Sequence, residues 1–185
     1  MKPTKQIHQQ LIDLCKKNDA KAQMQLYKLY CNAMLIVAHR YVKDRFIAED
    51  IMQDAFIKAF RKIESYKNEV PFGAWLKRIV INQSIDHLKK NKLELVSINE
   101  EVYKKEDEQD WQVECTISVE GIVNVIKSLK EKYRLVLSLY LLEGYDHQEI
   151  AQVLNITENT SRTHLLRGKR ILKEQLKNTS YAEGY

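Results

Sequence analysis

The sequence predicts an all-α protein built as two small helical domains joined by an acidic, flexible linker. Three observations carry that prediction. Five glycines and two prolines in 185 residues leave few breakers of helical structure. Apolar residues recur at three- and four-residue steps from Ile7 to about Lys90 and again from Ile122 onward. Between these blocks, residues 93–118 show no sustained helical period and carry eight acidic against two basic residues. A segment of that kind reads as an extended or partly disordered tether. The expected boundaries are therefore a first domain over 1–92, a linker over 93–118 and a second domain over 119–178.

In the first block, Ile7, Leu11 and Leu14 have helical spacing, and Asn18-Asp19 offers a break followed by a new N-cap. From Ala20 to about Tyr41, Met24, Tyr27, Cys31, Met34, Leu35 and Ala38 predict one broad buried face. A third helix, near 48–64, repeats the pattern through Ile51, Met52, Ala55, Phe56, Ala59, Phe60 and Ile63. Its remaining positions, Glu49, Asp50, Gln53, Asp54, Lys58 and Arg61, read as solvent-facing. Polar residues and Pro71 then interrupt the chain, because proline disfavours helix in the residue before it. A fourth helix follows from about Phe72 to Lys90. In the second block, helical periods run through Ile122–Leu129 and Leu135–Leu142 and stop at Glu143-Gly144, where glycine supplies a left-handed cap.

Composition narrows the function classes. The longest apolar runs, 33–38 and 139–142, fall far short of the ~20 residues that span a bilayer. The N-terminus has neither the apolar core nor the cleavage site of a secretory signal, so the expected location is the cytoplasm. Cys15, Cys31 and Cys115 are widely separated and read as inert thiols. His8, His39, His87, His147 and His164 are scattered singly, and there is no glycine-rich phosphate loop, HExxH or nucleophile elbow. No enzyme, cofactor or metal site is expected. Net charge is +5, and residues 1–92 hold 18 basic against nine acidic residues, a balance compatible with phosphate contacts.

The most informative stretch, 146–167, reads as a helix-turn-helix. Asp146 and Glu149 form a capping box; Ile150, Ala151 and Leu154 face inward; Asn155 takes the left-handed turn; Ile156 plugs the gap; and Thr157 caps the second helix. That second helix keeps Leu165, Ile171, Leu172 and Leu176 for the core and offers Glu158, Asn159, Thr160, Arg162, Thr163, Arg167 and Arg170 to a major groove. The same polar face is also what an ordinary solvated helix shows. In the fourth helix, Lys77, Arg78, Asn82, Lys89 and Lys90 punctuate an apolar sequence, which suits single-stranded DNA, where charges meet phosphates and bases stack on rings. Phe72 and Trp75 read first as core.

With these residues in order, the chain resembles the extracytoplasmic-function RNA polymerase sigma factors of the sigma-70 family. The resemblance implies that the segment 48–56 and the rest of that helix, through Glu49, Asp50, Gln53, Asp54, Phe56, Lys58 and Arg61, bind the clamp helices of the largest subunit of core RNA polymerase. It implies that Phe72–Lys90, with Trp75, Asn82 and Asp86, melts and reads the minus-ten promoter element as single-stranded DNA. The loop 65–71, with Tyr66, Lys67 and Asn68, would capture a flipped base. Residues 149–170 would read the duplex minus-thirty-five element beside the polymerase flap, and the acidic linker would follow the RNA exit path. An anti-sigma factor is the further implied partner. The sequence departs from the family at Asn155, where glycine is usual, and at His87-Leu88 ahead of Lys89-Lys90. Two other classes stay in view: a conventional helix-turn-helix regulator, which explains only the C-terminal half, and an enzyme, for which no motif is present.

Overall fold

The computed structural model describes residues 7–93 and 118–182, without the side chains of 91–93 and 178–182. The acidic segment 94–117, Cys115 and the first six residues lie outside these. The described residues form two compact units, one within 1–97 and one within 98–185, and both are helical, with no strand among them.

The first unit contains α1 (Gln9–Lys16), α2 (Ala20–Val42), α3 (Arg45–Arg61) and α4 (Phe72–Leu93). Each break has a local cause. Asn18 adopts a left-handed φ of 59°, and Asp19 then caps α2 by accepting the Ala22 N–H at 2.8 Å. Lys43 is also left-handed at φ 64° and closes α2, after which Asp44 accepts the Ile47 N–H at 3.0 Å. That cap starts α3 at Arg45, one turn earlier than the apolar period implies. Such caps each contribute about 1 kcal/mol. Helices α2, α3 and α4 pack on one another and α1 lies against α2.

Ile51, Met52, Ala55, Phe56, Ala59 and Ile63 of the predicted α3 face are buried, but the predicted faces of α1 and α2 need correction. Ile12 and Cys15 seal α1 into the core, whereas Ile7 is 92% exposed and Leu14 also faces outward. On α2 the buried line is Ala22, Leu26, Met34, Val37, Ala38 and Tyr41, and Met24 is 54% exposed. Leu29 and Ile36 are exposed too, flanking the polar stripe of Lys21, Gln25, Lys28 and Asn32, so the apolar period alone misplaces the face that α3 and α4 cover. The Cys15 thiol, fully buried, is pushed up to about 11, first by burial and then by the Asp19 carboxylate, which keeps it protonated and inert.

The second unit contains α5 (Val119–Ser128), α6 (Glu131–Leu137), α7 (His147–Leu154) and α8 (Glu158–Ala182). Where one helix was expected through Leu142, α6 instead widens into a π-helical turn over Ser138–Leu142, with the Glu143 N–H donating to the Ser138 carbonyl at 3.2 Å. Gly144, at φ 73°, ends it as expected. Ile126, Leu129, Val136, Leu137, Leu139, Ile150, Leu165, Leu172 and Leu176 fill the core. Helix α8 can lie close to α6 because Gly168 has no side chain: a Cβ there would sit 2.9 Å from Leu137 Cδ1 and 3.3 Å from Tyr133 Cβ. Replacing Gly168 with Val should therefore destabilise this unit by about 2 kcal/mol through overpacking, despite valine's better helix propensity. Urea unfolding followed by amide-exchange protection of α8 measures this, and unchanged protection would refute it.

Candidate nucleic-acid and protein interfaces

The helix-turn-helix is built from its caps inward. Asp146 accepts the Glu149 N–H at 2.7 Å and its own N–H donates to Glu149 Oε2 at 3.1 Å, so the box is complete in both directions. Asn155 stands at φ 56°, ψ 50°, and its N–H donates to the Ala151 carbonyl. Thr157 Oγ1 accepts the Thr160 N–H at 3.1 Å and lies 2.8 Å from Thr160 Oγ1. With Ser161, Leu165, Gly168, Leu172 and Leu176 buried on one line of α8, the opposite line is Asn159, Thr163 and Arg170, at four- and seven-residue steps. Arg167 and Thr160 flank it on one side, both half-buried, and Glu158 and Arg162 on the other, both exposed. Arg162 donates to Glu158 Oε2 at 3.1 Å across one turn. Thr163 donates to the Asn159 carbonyl at 2.9 Å, leaving its oxygen able to accept.

The α7–α8 angle is held by contacts that no sequence motif announces. Ser161 is fully buried, and its Oγ lies 2.9 Å from His147 Nδ1, a hydrogen bond available in either ring tautomer. Tyr140, presented by the π turn, stacks on His147 at 5.1 Å and 30°, and Lys169 Nζ sits 5.6 Å from the Tyr140 ring centre. Only the pairing of a histidine at the start of α7 with a small hydroxyl 14 residues later could have hinted at this.

In the first unit, Tyr66, Phe72 and Trp75 form an aromatic cluster with ring centres 5.2–5.6 Å apart, and Tyr30 joins it through Phe72 at 5.4 Å. The cluster anchors the loop before α4. The Tyr66 hydroxyl donates to the Val70 carbonyl at 2.6 Å, and Lys16 Nζ donates to the Tyr66 carbonyl at 3.2 Å. Tyr66 is thus a buried core residue and not a surface contact; burial, then the nearby Tyr30, raises its pKa. Phe72 is core as expected, but Trp75 is half-buried and shows part of its ring. Lys67 is exposed, and half-buried Asn68 is left-handed at φ 59° with a buried Oδ1 that finds no partner among the described residues.

Along α4, Trp75, Arg78, Asn82, Asp86 and Lys89 follow one another at three- and four-residue steps and share a face. Lys90 is exposed next to it. Lys77, two residues from Trp75, falls on nearly the opposite side of the helix and is half-buried, so it is separated from the stripe. On α3, Asp50, Gln53, Asp54 and Arg61 are exposed, while Lys58 and Glu49 are half-buried, the latter accepting from Arg45 Nε at 3.0 Å. Phe56 is 2% exposed and packs edge-on against Tyr27 at 4.9 Å, so it is a core residue, in keeping with its place in the apolar period. Among the described residues, no group of three or more His, Cys, Asp or Glu is placed to hold a metal, and no helix is long and apolar enough to cross a membrane.

These two units define a helical protein with a capped helix-turn-helix in one and an aromatic-edged polar helix in the other. Comparison with known proteins makes the class specific. The sigma-70 region 2 model matches residues 26–94 and the sigma-70 region 4 model matches residues 120–172. The chain is 30% identical over 175 residues to the extracytoplasmic-function RNA polymerase sigma factor SigW of Bacillus subtilis, covering 88% of this chain and 93% of that one. It is 26% identical over 179 residues to the sigma-E factor of Escherichia coli, covering 91% and 93%. Among solved structures, the Bartonella quintana sigma factor RpoE, crystallised with the anti-sigma factor NepR, aligns with a TM-score of 0.52 at 21% identity, over 83% of this chain and 96% of that one. CnrH, solved with the cytosolic domain of CnrY, aligns with a TM-score of 0.51 at 20% identity, over 91% and 96%. The chain belongs to the sigma-70 family, among its extracytoplasmic-function sigma factors, and directs promoter-dependent transcription initiation by RNA polymerase.

The helix-turn-helix carries a pH signature. Burial lowers the pKa of His147, helped by Arg162 and Lys169 and opposed by Glu158 and Asp146. Burial, then Lys132 and Arg167, lowers that of His164. Both folded-state values lie below the unfolded value of about 6.5, so the unfolded chain takes up protons first. The stability tied to neutral rings is full above about pH 6.5 and is lost as pH falls below it. The protection of α8 amides should weaken between pH 7 and pH 5 more than in a His147→Gln/His164→Gln variant. Equal weakening in both proteins would assign the effect to other groups.

Proposed function

We propose that residues 1–92 bind core RNA polymerase and open the minus-ten element, that 119–178 read the minus-thirty-five element, and that 93–118 link them. In this reading the outer face of α3 meets the clamp helices of the largest subunit. The α4 stripe of Trp75, Arg78, Asn82, Asp86 and Lys89, with Lys90 beside it, takes the single-stranded minus-ten DNA, and Lys67 and Asn68 hold a flipped base. Asn159, Thr163, Arg167 and Arg170, with Glu158, Thr160 and Arg162, read duplex DNA next to the polymerase flap. The protein works in the cytoplasm, without cofactor, metal or catalysed reaction.

The observation that carries this reading is the α4 stripe with its half-exposed tryptophan, on the same chain as a doubly capped helix-turn-helix. A conventional regulator needs the second feature and has no use for the first. One solved relative above is a complex with the anti-sigma factor NepR and the other with the cytosolic domain of CnrY, which supports an anti-sigma partner for this chain.

The test is transcription by core RNA polymerase and this protein from a random-sequence promoter library, where enrichment of two spaced elements is the expected result. Duplex binding by the C-terminal half with no polymerase association would instead identify a conventional regulator. Arg162→Ala should weaken promoter binding by roughly tenfold to a hundredfold and leave polymerase binding intact. Charge reversal at Asp50 and Asp54 should do the opposite; equal losses in both assays from either variant would contradict the division of labour.

A further inference from the structure

Two large apolar side chains stand out on the outer face of α3, and the apolar period that defines its buried side does not include them. Phe46 is 78% exposed and Ile57 50% exposed. They are collinear with polar residues at helical steps: Phe46, Asp50, Gln53, Ile57 and Arg61 follow one another by four, three, four and four residues. The two apolar ends lie roughly 16 Å apart along the helix axis. Asp50 and Gln53 between them have no side-chain partner among the described residues, whereas Glu49, to one side, is taken up by Arg45 at 3.0 Å. Beside Ile57 an open groove runs between α3 and α4, lined also by Asp54, Lys58, Arg61, Lys62 and Gln83. The Oε1 of Gln83 is buried and unpartnered among the described residues.

We propose that Phe46 and Ile57 are the apolar anchors by which α3 holds core RNA polymerase, with Asp50, Gln53 and Arg61 setting approach and register. The proposal rests on the reading of the outer α3 face as the docking surface and follows from continuity with it. Binding energy concentrates in large side chains that lose all their water, while exposed charges mainly raise the encounter rate. A lone exposed hydrophobe needs no explanation. Two of them at opposite ends of a line of unpartnered polar groups, one opening onto a groove, match a ridge with two apolar contacts and a basic group between them. The groove beside Ile57 offers a polymerase side chain a place to insert next to the apolar anchor.

The test measures association and dissociation rates of the full chain with core RNA polymerase. Phe46→Ala and Ile57→Ala should each raise the dissociation rate by about tenfold or more, with association little changed, and Phe46→Leu should restore most of the loss. Asp50→Asn/Asp54→Asn should mainly slow association and flatten its salt dependence. Because both anchors are exposed, helical content should be unchanged; Phe46→Gln, which keeps helix propensity, repeats the measurement where alanine perturbs folding. If Phe46→Ala/Ile57→Ala dissociates like the unaltered protein while charge reversal at Asp50 and Asp54 abolishes binding, the anchors are refuted and the docking face stands. If the unaltered protein does not bind core polymerase, both fall.

Discussion

Everything the second unit can offer to DNA depends on one buried line of α8. Ser161, Leu165, Gly168, Leu172 and Leu176 repeat at three- and four-residue steps, and their burial against α6 and α7 leaves α8 no rotational freedom. A helix fixed on one side is fixed on the other, so Asn159, Thr163 and Arg170 point outward as a consequence of packing. Gly168 sets the depth of that packing and the Ser161–His147 hydrogen bond sets the angle to α7. The first unit works the same way. Burial of Ile51, Met52, Ala55, Phe56 and Ala59 turns Asp50, Gln53 and Ile57 outward on α3.

That dependence explains what could be read from the sequence. The helix-turn-helix was legible because each part of it is local: a cap and its reciprocal glutamate, a residue tolerant of positive φ, a second cap. The buried face of α3 was legible because its apolar period runs unbroken from Ile51 to Ile63, although Phe46 and Ile57 stand outside it on the exposed side. The faces of α1 and α2 were not, since a short helix offers too few positions and α2 carries Met24, Leu29 and Ile36 on its open side. Tyr66 illustrates the opposite error, in which a loop tyrosine counted as a DNA contact is the residue that pins the loop. The π turn, the Gly168 contact and the His147–Ser161 bond are long-range products of packing, and no periodicity encodes them.

The units are small, and this bears on specificity. A single DNA-reading module of this size covers roughly 600–1,000 Å² of its own surface on binding, and a surface of that extent holds a site only loosely at physiological salt. In the proposed reading, joining two such modules on one polymerase-bound chain makes the second contact intramolecular and raises its effective concentration. Selectivity then resides in the spacing of two weak elements as much as in either sequence. Short polar faces, each with a handful of reading groups, are sufficient under that constraint.

The Arg162–Glu158 ion pair bears on the role proposed for that face. Both side chains are about half exposed, and a pair in that setting is worth no more than about 1 kcal/mol. A bidentate contact from arginine to guanine contributes roughly 1–3 kcal/mol of discrimination. Arg162 can therefore leave Glu158 for a base at little cost, and until then the pair holds the guanidinium over the start of α8, close to where a groove would meet it. Glu158 left behind is a carboxylate at the positive end of the helix dipole, which it still satisfies. It also repels phosphate, so a misplaced duplex gains nothing from Arg162 that Glu158 does not partly cancel. If α8 reads duplex DNA as proposed, the pair favours the register in which the arginine finds a base edge over any register in which it finds only backbone.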